Sequence, residues 1–212
     1  MNKQKKPLKK IGKYLSKISV IVIGVAITLG VSHWISVRSE KRDIALHLNA
    51  IKLELEENIK HIEGIKRRLE PNVRYTNYLR SHDKKSLNRD SIEKYMGAAY
   101  AFEIYVPFKT TAFEMFKQSG TMRLLDDKEV LLSLWNVYQQ LDFLQNALDW
   151  LFQIRVEELK KEFPLVFSGQ NVDVPMYFFH ITGTANLMMG PIEMVLKMSR
   201  EVTEKIEGND NS

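Results

Sequence analysis

The chain has 212 residues, 44% of them hydrophobic and 27% charged, with no cysteine. That is apolar material enough for a sizeable core, which excludes collagen-like, low-complexity and wholly disordered chains. The missing cysteine excludes a disulfide scaffold, a thiolate zinc site and a cysteine nucleophile. The formal charge of +5 belongs to residues 1–17, which hold seven lysines and no acid; the 31 Lys and Arg less those seven leave 24 against 26 acids. The pI near 9.2 therefore describes a tail, and the body lacks the basic surface of a nucleic-acid binder.

Ile18 to Val37 are 20 consecutive residues without a formal charge, 13 of them Ile, Val, Leu, Ala or Trp. A helix of that length rises about 30 Å, the thickness of the hydrocarbon core of a bilayer. The run is rich in β-branched residues, which suits a buried strand, but no buried strand is twenty residues long, so length decides for a helix. Trp34 suits the headgroup level, its ring apolar and its N–H wet, and His33 beside it reads as a neutral interfacial group. A secretory signal peptide would have a shorter apolar run and a small-x-small cleavage site. Ser32-His33-Trp34-Ile35-Ser36 is a poor cleavage context, so an uncleaved signal anchor is expected. Seven lysines precede the span, against Arg38, Lys41, Arg42 and Lys52 in the twenty residues after it. That asymmetry puts the N-terminus in the cytoplasm and the rest outside the cytoplasmic membrane, the periplasm in a two-membrane bacterium. Within the span Gly24, Thr28, Ser32 and Ser36 recur every four residues, with Ala26 and Gly30 as a second small pair. This face could bring two copies together as a homodimer, although small residues are also common in membrane helices at large.

The expected organisation is a basic cytoplasmic tail (1–17), a transmembrane helix (18–37), an extracytoplasmic α-helical domain (38–207) and a disordered tail (208–212). The fold class is all-α: the membrane helix continues into a long helix, followed by a helical bundle. Ile44, Leu48, Ile51, Leu55, Asn58, Ile62, Ile65 and Leu69 are spaced by four and three, with only Asn58 out of character. This heptad run serves a coiled coil between chains or the seam of an intramolecular bundle; the remaining helices need partners, which favours the bundle. Pro71 is expected to bend or end the rod. A short helix and solvated loop follow to about residue 90, then a second helix over Ser91–Ile104. Thr111 and Glu114 have capping-box spacing and open a short helix ending at Ser119-Gly120. Asp126 and Glu129 repeat the device before a long helix, about 127–162, with Leu131, Leu134, Tyr138, Leu141, Leu148, Phe152 and Leu159 as apolar positions and Pro164 as terminator. Phe163 to Gly183 is too apolar for a solvated loop and too broken for a long helix. It packs across the bundle, or else Met176, Tyr177, Phe178 and Phe179 form a partner-binding or membrane-contacting surface. A last helix is expected from near Pro191 to Ile206.

No residues read as a catalytic, cofactor or metal set. There is no Gly-x-Ser-x-Gly, no His-Glu-x-x-His and no phosphate-cradling glycine loop. His47 and His61, two heptads apart, lie about 21 Å from each other along a helix, beyond the reach of one ion. Glu57 and His61 lack the paired Glu-x-x-His of a di-iron bundle and read as an ion-paired face. Met188, Met189, Met194 and Met198, at helical spacing, read as core. The tyrosines at 95, 100 and 105 spread around their helix and suit packing.

Lys9-Lys10-Ile11-Gly12-Lys13-Tyr14-Leu15, the span with Ile23-Gly24-Val25-Ala26-Ile27 and Trp34, Leu53-Glu54-Leu55-Glu56-Glu57-Asn58, and Ala112-Phe113-Glu114-Met115-Phe116-Lys117-Gln118-Ser119-Gly120 with Met122-Arg123-Leu124-Leu125 together resemble an uncharacterised Bacteroidetes family of small single-pass membrane proteins. The likeness covers about residues 9–58 and 110–140. His33 and Ile35 stand where that family tends to have asparagine on both sides of the tryptophan. The resemblance implies the same anchor and helical exterior but supplies no activity, because the family is a domain of unknown function. The expected function is a non-enzymatic, membrane-anchored helical module that uses no cofactor, has the lipid bilayer as partner through residues 18–37, and binds a protein outside the cytoplasmic membrane. The alternative is a ligand-sensing or accessory subunit of a membrane complex; an envelope enzyme comes third.

Overall fold

A computed structural model describes the backbone of residues 6–82, 106–167 and 174–210, and within them the side chains outside 6–16, 79, 155–156, 158–167, 174–182 and 209–210. Among the described residues every regular element is helical, so the chain is all-α. The elements are α1 (Lys6–Ser81), α2 (Thr111–Ser119), a 3₁₀ turn (Thr121–Leu124), α3 (Lys128–Phe167) and α4 (Val174–Asp210). The helix expected over Ser91–Ile104, with its tyrosines, lies outside the described residues. The chain divides into two compact units, residues 1–46 and 47–212.

In the first unit, α1 supplies the one helix among the described residues long and apolar enough to cross a membrane, and its apolar window is wholly unburied. A helix that leaves Ile21, Ile23, Ile27 and Leu29 all more than half exposed has no protein core to serve. An apolar solvent would remove that penalty. At its downstream end the Arg38 guanidinium lies 5.6 Å from the centroid of the Trp34 ring, a cation–π contact at the edge of the uncharged run.

The second unit is built on one device used three times. Each helix buries one regular series: on α1 Leu48, Ile51, Leu55, Asn58, Ile62, Ile65, Leu69 and Asn72; on α3 Val130, Leu134, Val137, Leu141, Leu144, Leu148 and Leu151; on α4 Ala185, Met188, Ile192, Val195, Ser199, Val202 and Ile206; Glu54, Tyr75, Thr76, Tyr138, Leu196 and Thr203 are buried beside them. Each series alternates steps of three and four, a seven-residue repeat that keeps one stripe facing its partners. The heptad run of α1 is thus the seam of an intramolecular bundle. On α3 the seam takes Val130 in place of the expected Leu131, which is half-buried, and adds Val137 beside Tyr138, which is buried as expected. Ion pairs Lys52–Glu207, Glu63–Arg200 and Lys66–Glu193 tie α1 to α4 in antiparallel sense. Lys205 Nζ donates to Ser133 Oγ near the start of α3 and the end of α4, so those two helices are antiparallel as well.

Three prolines do not mark helix boundaries: α1 runs through Pro71 to Ser81, α3 runs through Pro164, its expected terminator, to Phe167, and α4 begins at Val174 and carries Pro191, its expected start, inside it. Each proline removes one backbone donor, leaving the carbonyl four residues earlier unpaired. For Pro71 and Pro191 those carbonyls belong to Arg67 and Leu187, both exposed, where water can take the bond. The seam continues across both sites, and its burial outweighs the local cost. Gly208 to Asp210, expected in a disordered tail, extend α4.

Candidate interaction surface

The short helix α2 is held against the bundle by side chains from two other helices. Glu54 is 7% exposed, and its carboxylate accepts from the Ala112 N–H (2.8 Å), the Phe113 N–H (3.4 Å) and the Tyr138 hydroxyl (2.6 Å). A carboxylate placed at a helix N-terminus satisfies orphan amides and opposes the positive end of the dipole. The expected Thr111–Glu114 box is replaced: Thr111 is already the first helical residue, the capping position Thr110 makes no side-chain cap, and Glu54, 58 residues before Ala112, does that work from α1. Burial and the hydrogen bond to Glu54 push the Tyr138 hydroxyl well above its ordinary pKa. The Tyr138 ring stacks on Phe113 at 4.1 Å with the planes 4° apart.

One turn on, Asn58 explains the break in the heptad. It is 1% exposed; its Nδ2 donates to the Lys109 carbonyl (2.8 Å) and its Oδ1 accepts from the Lys109 N–H (2.9 Å), pairing with a backbone amide on both sides. Gln145 of α3 accepts from the Phe108 N–H at 3.1 Å. Lys109 also pairs with Glu57, which holds that exposed carboxyl below its usual range through the hydrogen bond first and the charge second. His61 packs against Phe108 at 5.4 Å and His47 against Phe116 at 5.5 Å, so both histidines serve this segment. Burial, aided by the Arg68 charge, lowers the His61 pKa. Below α2 the chain turns on Gly120, whose φ of 74° is the left-handed conformation expected of a glycine C-cap. The cap of α3 is Asp127, not Asp126: its Oδ1 accepts from the Glu129 and Val130 N–H groups at 2.9 and 3.0 Å.

Two shallow hollows flank α2. One, of about 310 Å³, lies among Ala50, Leu53, Glu57, Lys109 and Met115; the other, of about 260 Å³, among Phe113, Lys117, Trp135, Tyr138 and Asp142. In the second, the Lys117 ammonium sits 5.5 Å from both the Phe113 and Trp135 ring centroids and bonds to Glu114 at 2.8 Å, so the cation that those rings attract comes from α2 itself.

Among the described residues of the second unit, the outer face of α3 carries a row of exposed apolar side chains. Leu132, Phe143 and Trp150 are 63%, 58% and 56% exposed. At 100° per residue all three lie within about 20° of one another, spread along about 27 Å of helix. Asn136, Gln139 and Asn146 complete the row, which carries no charge. Asp142 and Asp149 lie to one side, the first accepting from Asn146 at 3.4 Å and the second from Gln145 at 3.0 Å. A regular uncharged row with two large aromatics is a composition typical of protein interface cores.

The residues singled out from sequence stand elsewhere. Gly24, Thr28, Ser32 and Ser36 are all exposed on the apolar part of α1; the Thr28 hydroxyl donates to the Gly24 carbonyl at 2.9 Å, and that of Ser36 to Glu40 at 3.0 Å. Met176, Tyr177, Phe178 and Phe179 belong to the first turns of α4, and their side chains lie outside the described residues. Met188 is buried but Met194 is 44% exposed, so the methionines are only partly core. Sequence reasoning missed the α3 row because its apolar members are eleven and seven residues apart, separated by polar amides; the available signal was the absence of charge along that line. Among the described residues no three His, Asp or Glu side chains converge on a metal position. No family model, curated protein or solved structure matches the chain.

Proposed function

We propose that the protein is a single-pass membrane protein, anchored through residues 18–37 with its N-terminus in the cytoplasm, whose helical exterior is a non-enzymatic module for binding a protein partner. The observation that carries the reading is the uncharged α3 row of Leu132, Phe143 and Trp150, left open by helices that bury their other apolar stripes. The lysine asymmetry supports the orientation, and the long, apolar, unburied stretch of α1 supports the anchor. A ligand-sensing role would draw on the hollows beside α2, but both open to solvent, and in one the Lys117 ammonium already meets the Phe113 and Trp135 rings. Protein contact is the better use of this surface.

The test is photo-crosslinking in intact cells, with p-benzoylphenylalanine in place of Phe143 or, as control, of the exposed Lys197 on α4. The reading expects a discrete heterologous adduct from position 143 and none from 197. That adduct should persist in the Gly24→Leu/Thr28→Leu/Ser32→Leu variant and be lost in Leu132→Glu/Trp150→Glu. Equal adducts from both positions, or only a self-adduct abolished by the triple change in the span, would overturn it.

A further inference from the structure

The lysines ahead of the span are arranged as well as numerous. The helix α1 begins at Lys6 and continues unbroken into the apolar run, with no acidic residue in its first turn. At 100° per residue, Lys6, Lys9, Lys10, Lys13 and Lys17 fall within about 100° of arc, and Leu8, Ile11, Leu15 and Ile18 fall on the opposite side. Such a stripe works against its own helix. Lys6 with Lys9 and Lys10, Lys13 with Lys9 and Lys10, and Lys17 with Lys13 are all like-charge pairs three or four residues apart. The charges also gather at the end of the helix where the dipole is positive. Nothing in the sequence of residues 1–17 offsets them, since it holds no acid. An external array of anions would relieve both effects.

We propose that residues 6–17 form a lysine-faced helical extension of the anchor that gathers anionic phospholipid headgroups. The register favours lipid over nucleic acid in two ways. The apolar positions opposite the lysines suit the headgroup–acyl boundary. Lys17 also directly precedes the uncharged run, so the stripe ends where the hydrocarbon begins. This inference rests on the anchor reading above.

It is tested with the full chain in lipid nanodiscs made of phosphatidylcholine with and without phosphatidylglycerol, followed by release of the chain with its retained lipid and identification of that lipid by mass spectrometry. The expected result is insertion into both discs and, from the mixed ones, retained phosphatidylglycerol enriched about fivefold over the bulk composition. Changing Lys6, Lys9, Lys10, Lys13 and Lys17 together to glutamine should return the ratio to that of the bulk while insertion persists. Insertion without enrichment, or enrichment that survives the glutamine changes, overturns the proposal and leaves the anchor standing. Failure to enter either disc overturns the anchor, and this proposal with it. Lysine-dependent binding of a DNA duplex to the disc-embedded chain, with no lipid enrichment, would assign the stripe to nucleic acid instead.

Discussion

A leucine at position 58 would complete an unbroken apolar heptad run, and on pattern alone it should stabilise the protein. We expect Asn58→Leu to destabilise it by about 1–2 kcal/mol, because the Lys109 N–H and carbonyl would lose their partners. Thermal unfolding of the full chain in detergent, followed by circular dichroism, gives the sign; a raised melting temperature would contradict the role assigned to Asn58. Half of this was legible in the sequence. The break in the heptad is plain, but its partner is 51 residues away, and no local rule joins them. Glu54 was less legible still. It sits in an acidic run with Glu56 and Glu57, and only the phase of the seam brings it, of the three, onto the amides of α2. His61 gives a second residue-scale expectation. Burial lowers its folded pKa below the ordinary 6.5, so the unfolded chain takes up its proton first as pH falls. Its stabilising contribution is full above pH 6.5 and is lost as pH drops through the lower folded value. Melting temperatures of His61→Gln should fall less than those of the wild type across that window, and parallel curves would show that His61 is not responsible.

At the scale of elements, the helical class, the heptad seam of α1, the short helix α2 and its glycine cap all followed from spacing and caps. Helix ends did not, wherever proline was the signal. A proline rule weighs a lost hydrogen bond and a clash against local propensity, yet here the opposing quantity is a tertiary seam: Leu69 and Asn72 are buried on either side of Pro71, and Met188 and Ile192 on either side of Pro191. Since Pro71 is carried against local cost, Pro71→Ala should raise stability by up to about 3 kcal/mol. The same detergent melt shows this as a higher midpoint; a lower one would mean that the proline bend is needed for packing. Capping assignments failed by one residue at Asp127 and by a whole element at Glu54, because a cap is chosen by geometry from any acceptor that can reach.

For the molecule as a whole, charge and apolar length delimit the span at Ile18 and Val37, and the anchor reading stands on those two boundaries. The α3 row was signalled in the sequence only by its lack of charge, for the reason that makes it a surface: only once Val130, Leu134, Val137 and their successors are known to be inside do Leu132, Phe143 and Trp150 count as outside. The absence of cysteine makes the most direct test of the central claim simple, since any introduced cysteine is the sole thiol. In intact cells, a membrane-impermeant maleimide should label Lys197→Cys on α4 and should reach Lys10→Cys only after the membrane is permeabilised. Labelling of Lys10→Cys alone, or of both sites without permeabilisation, would contradict a single-pass anchor that carries its helical module outside the cytoplasmic membrane.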